Sequence, residues 1–253
     1  MNIKTIKNCS KSLITYALWG LQIIVFAPPT LLLVCLPASW RYDTRLYYWL
    51  MSAWCWCIVR STFISYEVHG RENVPVFPNQ PSIIAMNHMS ALDIPVVEMV
   101  AGNYPHVWIS KDYSKVPFLG FVLKRMHVLV SLAGLRKPLA TIKATHTLTH
   151  KKLRHVFIFP EGRRYDDGAI HDFYAGYAVL AEMLDRPVVP ILLTGLHAIY
   201  PKNSWYFNTT GNKITVTIGA PIHYKDYASR EEFLDKVSNW FKLEQKKLNA
   251  LSR

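Results

Sequence analysis

The sequence predicts an α/β domain with a largely parallel central sheet flanked by helices, preceded by an N-terminal helical segment attached to a membrane. After Arg60, short apolar runs alternate with longer helical patterns, and this alternation is typical of a parallel sheet covered by helices. The 29 residues 12–40 carry no charge, which is long enough to cross a bilayer. The net charge is +12 although only 18% of the residues are charged, which favours an anionic partner surface.

The first 60 residues are predicted to form the membrane-anchoring segment, and residues 61–253 the globular domain. Pro28-Pro29 interrupts the uncharged run and is expected to end or kink a helix there. Basic residues flank the run on both sides: Lys4, Lys7, Lys11, Arg41 and Arg45. A hairpin that enters the bilayer and returns to the same face explains both features, and a single tilted span is the alternative.

A second apolar stretch, Leu46–Val59, is rich in tyrosine and tryptophan and is short for a membrane span. It is therefore predicted to be an interfacial helix. A secretory signal is the competing interpretation of the N-terminus. The four cysteines all lie within the first 57 residues and form no disulfide framework. A membrane-attached protein on the reducing side of the membrane is the better interpretation.

The globular domain is predicted element by element from its periodicity. The predicted strands are Phe63–Val68, Ser82–Ala85, His106–Ile109, His127–Val130, Val156–Phe159, Pro187–Thr194 and Lys213–Ile218. The predicted helices are Ile94–Val100, Pro117–Lys124, Leu139–Lys151, Tyr174–Leu184 and a last helix after Ser229. Ser229 and Glu232 form a capping-box pattern at the start of that last helix.

His88 follows a predicted strand, and Asp93 comes five residues later. Such a pair can act as a general base and the carboxylate that orients it, provided that His88 lies in the loop and Asp93 in the first helical turn. The alternative is structural: Ser90 and Asp93 also fit a capping box, in which Asp93 binds only a backbone N–H.

A second polar segment, Glu161-Gly162-Arg163-Arg164, ends another predicted strand. The carboxyl edge of a parallel sheet is where α/β domains bind ligands. Two adjacent arginines can grip a phosphate there. Glu161 could orient an arginine or a substrate hydroxyl, and Gly162 allows close backbone approach. A solvated basic turn is the alternative.

Together these segments resemble the glycerolipid acyltransferase superfamily, in its 1-acyl-sn-glycerol-3-phosphate acyltransferase type. The His-x4-Asp of His88 and Asp93 and the Phe-Pro-Glu-Gly-x-Arg of residues 159–164 carry the resemblance, with weaker agreement at 111–120, 188–191 and 219–222. The resemblance covers residues 65–225. Three departures stand out: Arg163 replaces a usual Thr, Tyr174 replaces a common Lys, and residues 126–131 offer no counterpart to a frequent Arg.

The resemblance implies that His88 deprotonates the hydroxyl of a lysophospholipid, which attacks an acyl thioester directly while Asp93 orients His88. It implies that Glu161, Gly162 and Arg164, with Arg163, hold the acceptor, and that Lys111 assists near the developing oxyanion. The co-substrate is acyl-CoA or an acyl carrier protein, with no cofactor and no metal. The expected acceptor is 1-acyl-sn-glycerol 3-phosphate; a lyso-aminolipid or a non-catalytic lipid-binding module are the rivals.

The charge distribution agrees with this expectation. Between Tyr104 and Tyr165 there are 12 basic and two acidic residues, and such a face attracts anionic headgroups. The long uncharged run argues against a nucleic-acid partner. The predicted location is the cytoplasmic face of a membrane, that of a bacterial inner membrane.

Overall fold

The computed structural model describes residues 3–41, 44–75, 80–102, 106–110, 114–116, 119–130, 143, 145, 155–165, 167–201 and 204–251, with the backbone alone for 106–110, 128–130 and 251. A seven-stranded sheet lies at the centre of this part of the chain. Its strands are β1 (Ser65–His69), β2 (Ile83–Met86), β3 (His106–Ser110), β4 (Val128–Val130), β5 (Val156–Ile158), β6 (Val188–Thr194) and β7 (Lys213–Ile218).

The strand order is β1-β7-β6-β2-β5-β3-β4, and every pair is parallel except β6 with β7. The fold class predicted from the sequence is confirmed, as are all seven strands to within a few residues at their ends. The antiparallel pair follows from the connection between β6 and β7, which returns without a long crossover helix.

Helices cover the sheet. They are α1 (Ile3–Cys35), α2 (Ala38–Arg41), α3 (Arg45–Ser61), α4 (Asp93–Ala101), α5 (Leu119–Met126), α6 (Gly176–Leu184), α7 (Leu196–Ile199) and α8 (Arg230–Leu251). The predicted helix over 139–151 lies outside the described residues, apart from positions 143 and 145. The capping box of α8 is present, since the Glu232 N–H donates to Ser229 Oγ (3.1 Å) and the Glu232 carboxylate accepts the Ala228 N–H (2.9 Å).

Alternate residues of the central strands face two separate cores. In β2, Ile84 and Met86 join one apolar cluster with residues of α3, α4 and α7. Ile83 and Ala85 join another cluster with residues of α6 and α8. Because successive strand residues point to opposite faces, a strand buried on both sides must be apolar throughout. This is why β2, β5 and β6 read as uninterrupted apolar runs.

Of the two outcomes expected at Pro28-Pro29, an end of the helix is wrong, because α1 is one helix through both prolines and ends at Cys35. A proline removes the bond to the carbonyl four residues earlier. Here those carbonyls belong to Ile24 and Val25, whose side chains are exposed, and the hydroxyl of Thr30 donates to the neighbouring carbonyl of Phe26 (2.7 Å). The chain therefore reverses at residues 36–44, and α3 returns along α1.

The first half of α1 is bound to the globular domain. Ser12 Oγ accepts the N–H of Phe207 (2.8 Å), and Asn8 Oδ1 accepts that of Thr210 (3.0 Å). Thr15 Oγ1 donates to the carbonyl of Ser61 (2.7 Å) in α3. Helix α3 is predicted correctly as a helix, and its Val59 is fully buried in the core beneath the sheet. Hence the N-terminal helices pack as part of the folded body.

Candidate active site

The site begins where β2 ends. Asn87 is buried, and its side-chain amide bonds both backbone groups of Leu193 in β6: Oδ1 accepts the N–H (2.8 Å) and Nδ2 donates to the carbonyl (2.9 Å). The Asn87 side chain thus supplies the hydrogen bonds to β6 that the backbone of β2 no longer makes beyond Met86. His88 follows immediately, so its position is fixed by the sheet.

Asp93 holds the ring of His88. Helix α4 starts at Asp93, whose side chain is fully buried. Its Oδ2 lies 2.8 Å from His88 Nδ1 and also accepts the N–H groups of Met89 and Ser90, each at 2.9 Å. Burial raises the pKa of Asp93, while these hydrogen bonds oppose the rise. One oxygen atom of Asp93 therefore both contacts the ring of His88 and caps the start of α4.

This contact decides which ring nitrogen of His88 can react. Because Oδ2 receives only donors, we assign the proton to Nδ1, and the lone pair to Nε2. The imidazole side chain is 26% exposed whereas that of Asp93 is 0% exposed. His88 can therefore accept a proton from a bound molecule at Nε2, and the buried carboxylate would stabilise the imidazolium that forms.

The loop after β5 holds His88 from the other side. Glu161 Oε1 accepts the His88 backbone N–H (3.1 Å), and the Tyr165 N–H donates to the His88 carbonyl (2.9 Å). The ring of Phe159 stacks on the imidazole with centroids 3.9 Å apart and an interplanar angle of 24°. Since β2 and β5 are parallel neighbours, their carboxyl ends meet, which brings together residues 73 positions apart.

The loop after β5 begins with a tight turn that brings it next to His88. The N–H of Gly162 donates to the carbonyl of Phe159 (3.0 Å), with Pro160 second in the turn. Gly162 has φ +72°, a left-handed conformation that glycine adopts without a steric penalty. Proline at the second position and glycine at the fourth are preferred in a type I turn. The sequence of the loop thus encodes its own geometry.

Glu161 is buried, with 2% of its surface exposed. Burial raises its pKa to about 7, an effect that the hydrogen bond from His88 only partly offsets. Within the described part of the chain, no ion pair joins Glu161 to Arg163 or Arg164. The partners of this carboxylate are the backbone groups of His88 and His171, which the sequence did not indicate.

The arginines occupy the outer side of the loop. Arg163 is exposed, and its guanidinium carbon lies 4.7 Å from the ring centroid of Tyr165. Arg164 is half-buried and makes no ion pair with the described residues. Both are close in sequence to Glu161, and neither pairs with a carboxylate of the described residues. Lys111 lies outside the described residues.

A cleft of about 230 Å³ lies at the loop after β5, and His88 is not among its described lining residues. It is lined by Glu161, Tyr165, Asp172, Phe173 and Tyr174. Two of these residues, Glu161 and Tyr165, are the ones that bond the backbone of His88. The cleft is therefore continuous with the walls of the His88 site.

Sequence reasoning gave no role to Asn87 and Phe159, although both lie within the two motifs. A single asparagine or phenylalanine at a strand end carries no signal of its own. Their partners, Leu193 and His88, are distant in the chain.

Comparison with known proteins identifies the family. The family model described as Acyltransferase matches residues 65–194, just over half of the chain and including both motifs. This chain belongs to the acyltransferase family. The matched range, residues 65–194, contains the His88–Asp93 pair and the loop at 159–164.

Two curated plant members of the family are each 30% identical to the chain. One is the chloroplast 1-acyl-sn-glycerol-3-phosphate acyltransferase BAT2 of Brassica napus, matched over 79% of this chain and 56% of its own length. The other is the chloroplast 1-acyl-sn-glycerol-3-phosphate acyltransferase LPAT1 of Arabidopsis thaliana, matched over 72% and 50%. The chain thus spans about half the length of these curated relatives.

The crystal structure of the 1-acyl-sn-glycerophosphate acyltransferase PlsC from Thermotoga maritima has the same fold. Its TM-score is 0.77, with 21% sequence identity, and the match covers 98% of both chains. The similarity therefore includes the N-terminal helices as well as the α/β domain.

Proposed function

We propose that this chain is a membrane-attached O-acyltransferase. It transfers a fatty acyl group from an acyl thioester to the free hydroxyl of a lysophospholipid, with 1-acyl-sn-glycerol 3-phosphate as the acceptor and phosphatidic acid as the product. The observation that carries the proposal is the 2.8 Å contact between His88 Nδ1 and the buried Asp93 Oδ2. The plant relatives are named as 1-acyl-sn-glycerol-3-phosphate acyltransferases, which supports the same acceptor.

The geometry supports a direct transfer. The acceptor hydroxyl gives its proton to His88 Nε2 as its oxygen bonds to the thioester carbonyl carbon, and Asp93 stabilises the imidazolium. The tetrahedral intermediate then breaks its carbon–sulfur bond. The departing thiolate takes the proton from Nε2, so His88 is restored and no acyl-enzyme forms. The donor is acyl-CoA or an acyl carrier protein, and the imidazole needs no cofactor for this proton transfer.

Arg164 is the proposed ligand of the acceptor's phosphate, with Arg163 as its helper and Lys111 as a further cation near the oxyanion. A guanidinium group matches a phosphate in shape and charge. Arg164 supports this role because it makes no ion pair within the described structure.

Saturation curves for each substrate test this assignment. Losing one charge-assisted contact of about 1.5–3 kcal/mol raises the acceptor KM roughly 10- to 150-fold in Arg164→Ala. The donor KM moves far less, because the reacting thioester is neutral. Arg163→Ala is the matched control and has the smaller effect. An unchanged acceptor KM beside a raised donor KM would show that the loop binds the carrier, and the acceptor assignment would fail.

Membrane attachment is proposed for α1 and α3. Helix α1 is long and apolar enough to cross a membrane by length and composition. Large apolar side chains are exposed on these two helices: Leu13, Ile24, Val25, Leu32, Trp49 and Trp56. An apolar surface of this kind marks a membrane or protein contact.

The contacts of α1 favour attachment to one face over a complete span. Contacts of α1 with the rest of the fold continue to its last turn, where Val34 is buried and its carbonyl accepts the Nε–H of Arg125 in α5 (2.9 Å). Helix α1 is therefore bound to the globular domain near both of its ends, at Ser12 and at Val34. This argues against a crossing of the full hydrocarbon core of roughly 30 Å. All four cysteines are free thiols, which supports the cytoplasmic face of a bacterial inner membrane.

Accessibility labelling tests the topology. In a background without the native cysteines, Lys11→Cys and Arg41→Cys proteins in sealed vesicles are treated with an impermeant maleimide. We expect both positions to react from the same side. Labelling from opposite sides would establish a span and refute one-face attachment.

A further inference from the structure

The cleft at the loop after β5 has an unusual lining for a protein with a net charge of +12. Two carboxylic acids, Glu161 and Asp172, and three aromatic rings, of Tyr165, Phe173 and Tyr174, form its walls. Among the described residues that line it there is no lysine or arginine, although two arginines follow Glu161 directly in the sequence.

The acidic side chains of the cleft form no ion pair within the described structure. Oε2 of the buried Glu161 has no partner of hydrogen-bond geometry there, although the His171 backbone is close enough to lower the pKa of this carboxyl group. Asp172 is exposed and makes no ion pair with the described residues. The guanidinium group of Arg163 lies over the ring of Tyr165. A buried carboxylate oxygen without a donor is costly, and a donor brought by a ligand would remove that cost.

The walls of the cleft are held in place by the rest of the fold. The ring of Phe173 packs edge-on against Phe241 of α8, with centroids 5.1 Å apart. Tyr165 stacks on His171 at 3.5 Å, and the Tyr174 N–H donates to the carbonyl of Pro160 (2.8 Å). The cleft is therefore formed before a ligand arrives, which lowers the entropic cost of binding.

We propose that this cleft binds an ammonium group on the headgroup of the acceptor lysolipid. Carboxylates together with aromatic faces are the chemistry that recognises such a cation. The proposal rests on the proposed function and extends it: amine-bearing lysophospholipids are acceptors alongside 1-acyl-sn-glycerol 3-phosphate. Their phosphate meets Arg164 while their ammonium enters the cleft. Tyr174, at a position where a lysine would repel an ammonium, belongs to the same adaptation.

The test compares two acceptors that differ in one charge. They are 1-oleoyl-glycero-3-phosphoethanolamine and its N-acetylated form, each with the same acyl thioester and the full-length protein. The native protein should acylate the amine with a kcat/KM about tenfold above that of the N-acetylated form, the usual worth of a charge-assisted contact. Asp172→Asn should reduce that preference about tenfold and leave the acylation of 1-oleoyl-glycerol 3-phosphate within twofold. Asp226→Asn, which changes an exposed aspartate outside the cleft, is the matched control.

Glu161→Gln provides a second variant, since its amide oxygen can still accept the His88 N–H while the charge is gone. It should weaken the preference for the amine as well. Equal use of the two acceptors by the native protein, or an equal loss on both in Asp172→Asn, would overturn the proposal.

A binding measurement separates this proposal from the proposed function. The dissociation constant of 1-oleoyl-glycero-3-phosphoethanolamine is measured for the native protein and for Asp172→Asn in detergent, without donor. Binding that weakens in Asp172→Asn supports the ammonium site even if no acceptor is acylated, in which case only the acyltransferase proposal fails. Binding that is the same in both refutes the ammonium site.

Discussion

Replacing Asp93 with asparagine removes one negative charge and keeps the shape of the side chain. The amide oxygen can occupy the position of Oδ2 and accept the same three donors, His88 Nδ1 and the N–H groups of Met89 and Ser90. The amide nitrogen then takes the place of Oδ1, which has no partner within the described structure. The ring therefore keeps its orientation and its tautomer, and the catalytic loss is that of the imidazolium's stabilisation. The buried amide N–H₂ has no acceptor among the described residues, which lowers the free energy of unfolding by about 1–3 kcal/mol.

The size of the effect follows from the contact that changes. Exchanging a charge-assisted hydrogen bond for a neutral one removes about 1.5–3 kcal/mol at most, so kcat of Asp93→Asn should fall by up to roughly 10- to 150-fold. Asp93→Ala is a poorer test. It leaves the N–H groups of Met89 and Ser90 unpaired at about 1–3 kcal/mol each, a large part of a total stability of about 5–15 kcal/mol.

The assay is a double-mutant cycle with His88→Ala, which should cost about 10²–10⁴ in rate, the usual contribution of a general base. Adding Asp93→Asn to His88→Ala should change the rate little, because the carboxylate acts only through the imidazole. The lipid product is quantified by mass spectrometry, since Cys35 is exposed and would react with a thiol dye. If Asp93→Asn slowed the His88→Ala protein as much as the native one, the two residues would act independently and the proposed mechanism would be refuted.

Three further predictions concern the free energy of unfolding. The folded-state pKa of Glu161 is raised from 4.5 to about 7, so the native state binds a proton that the unfolded state has lost. The free energy of unfolding should therefore fall by about 3 kcal/mol between pH 4.5 and pH 7.5. Denaturant titrations of Glu161→Gln should show no such fall; the same pH dependence in this variant would contradict its assignment to Glu161. Asn87→Ala should lower the free energy of unfolding by about 2–6 kcal/mol, because two buried backbone groups of Leu193 lose their partners. It should also lower kcat more than it changes either KM. Equal stability of Asn87→Ala and the native protein would refute the role of the amide. Gly70 has φ +75°, and a Cβ added there would lie 2.0 Å from the carbonyl oxygen of Ile218. Gly70→Ala should therefore lower the free energy of unfolding by at least about 1–3 kcal/mol. The control Gly20→Ala, whose added Cβ would meet no atom within 4 Å, should not lower it measurably.

The sequence by itself determined the strands, most of the helices and the two motifs. β2, β5 and β6 are apolar runs because both faces of these strands are buried. Such a run can be recognised from the few consecutive residues that form it. The turn at 159–162 carries its proline and glycine in the order that its hydrogen bond requires. These features are local, so the residues that encode them are neighbours in the sequence.

Only the tertiary structure decided which groups meet. The hydrogen bonds from Asn87 to Leu193 and from His88 to Glu161 join residues 106 and 73 positions apart. On either side of Pro28-Pro29, α1 contacts other elements likewise: Phe26 stacks on Trp54 of α3, and the Val34 carbonyl accepts the Nε–H of Arg125 in α5. Local patterns fix the type of each element, whereas the burial, pKa and partner of a side chain depend on the neighbours that folding brings to it.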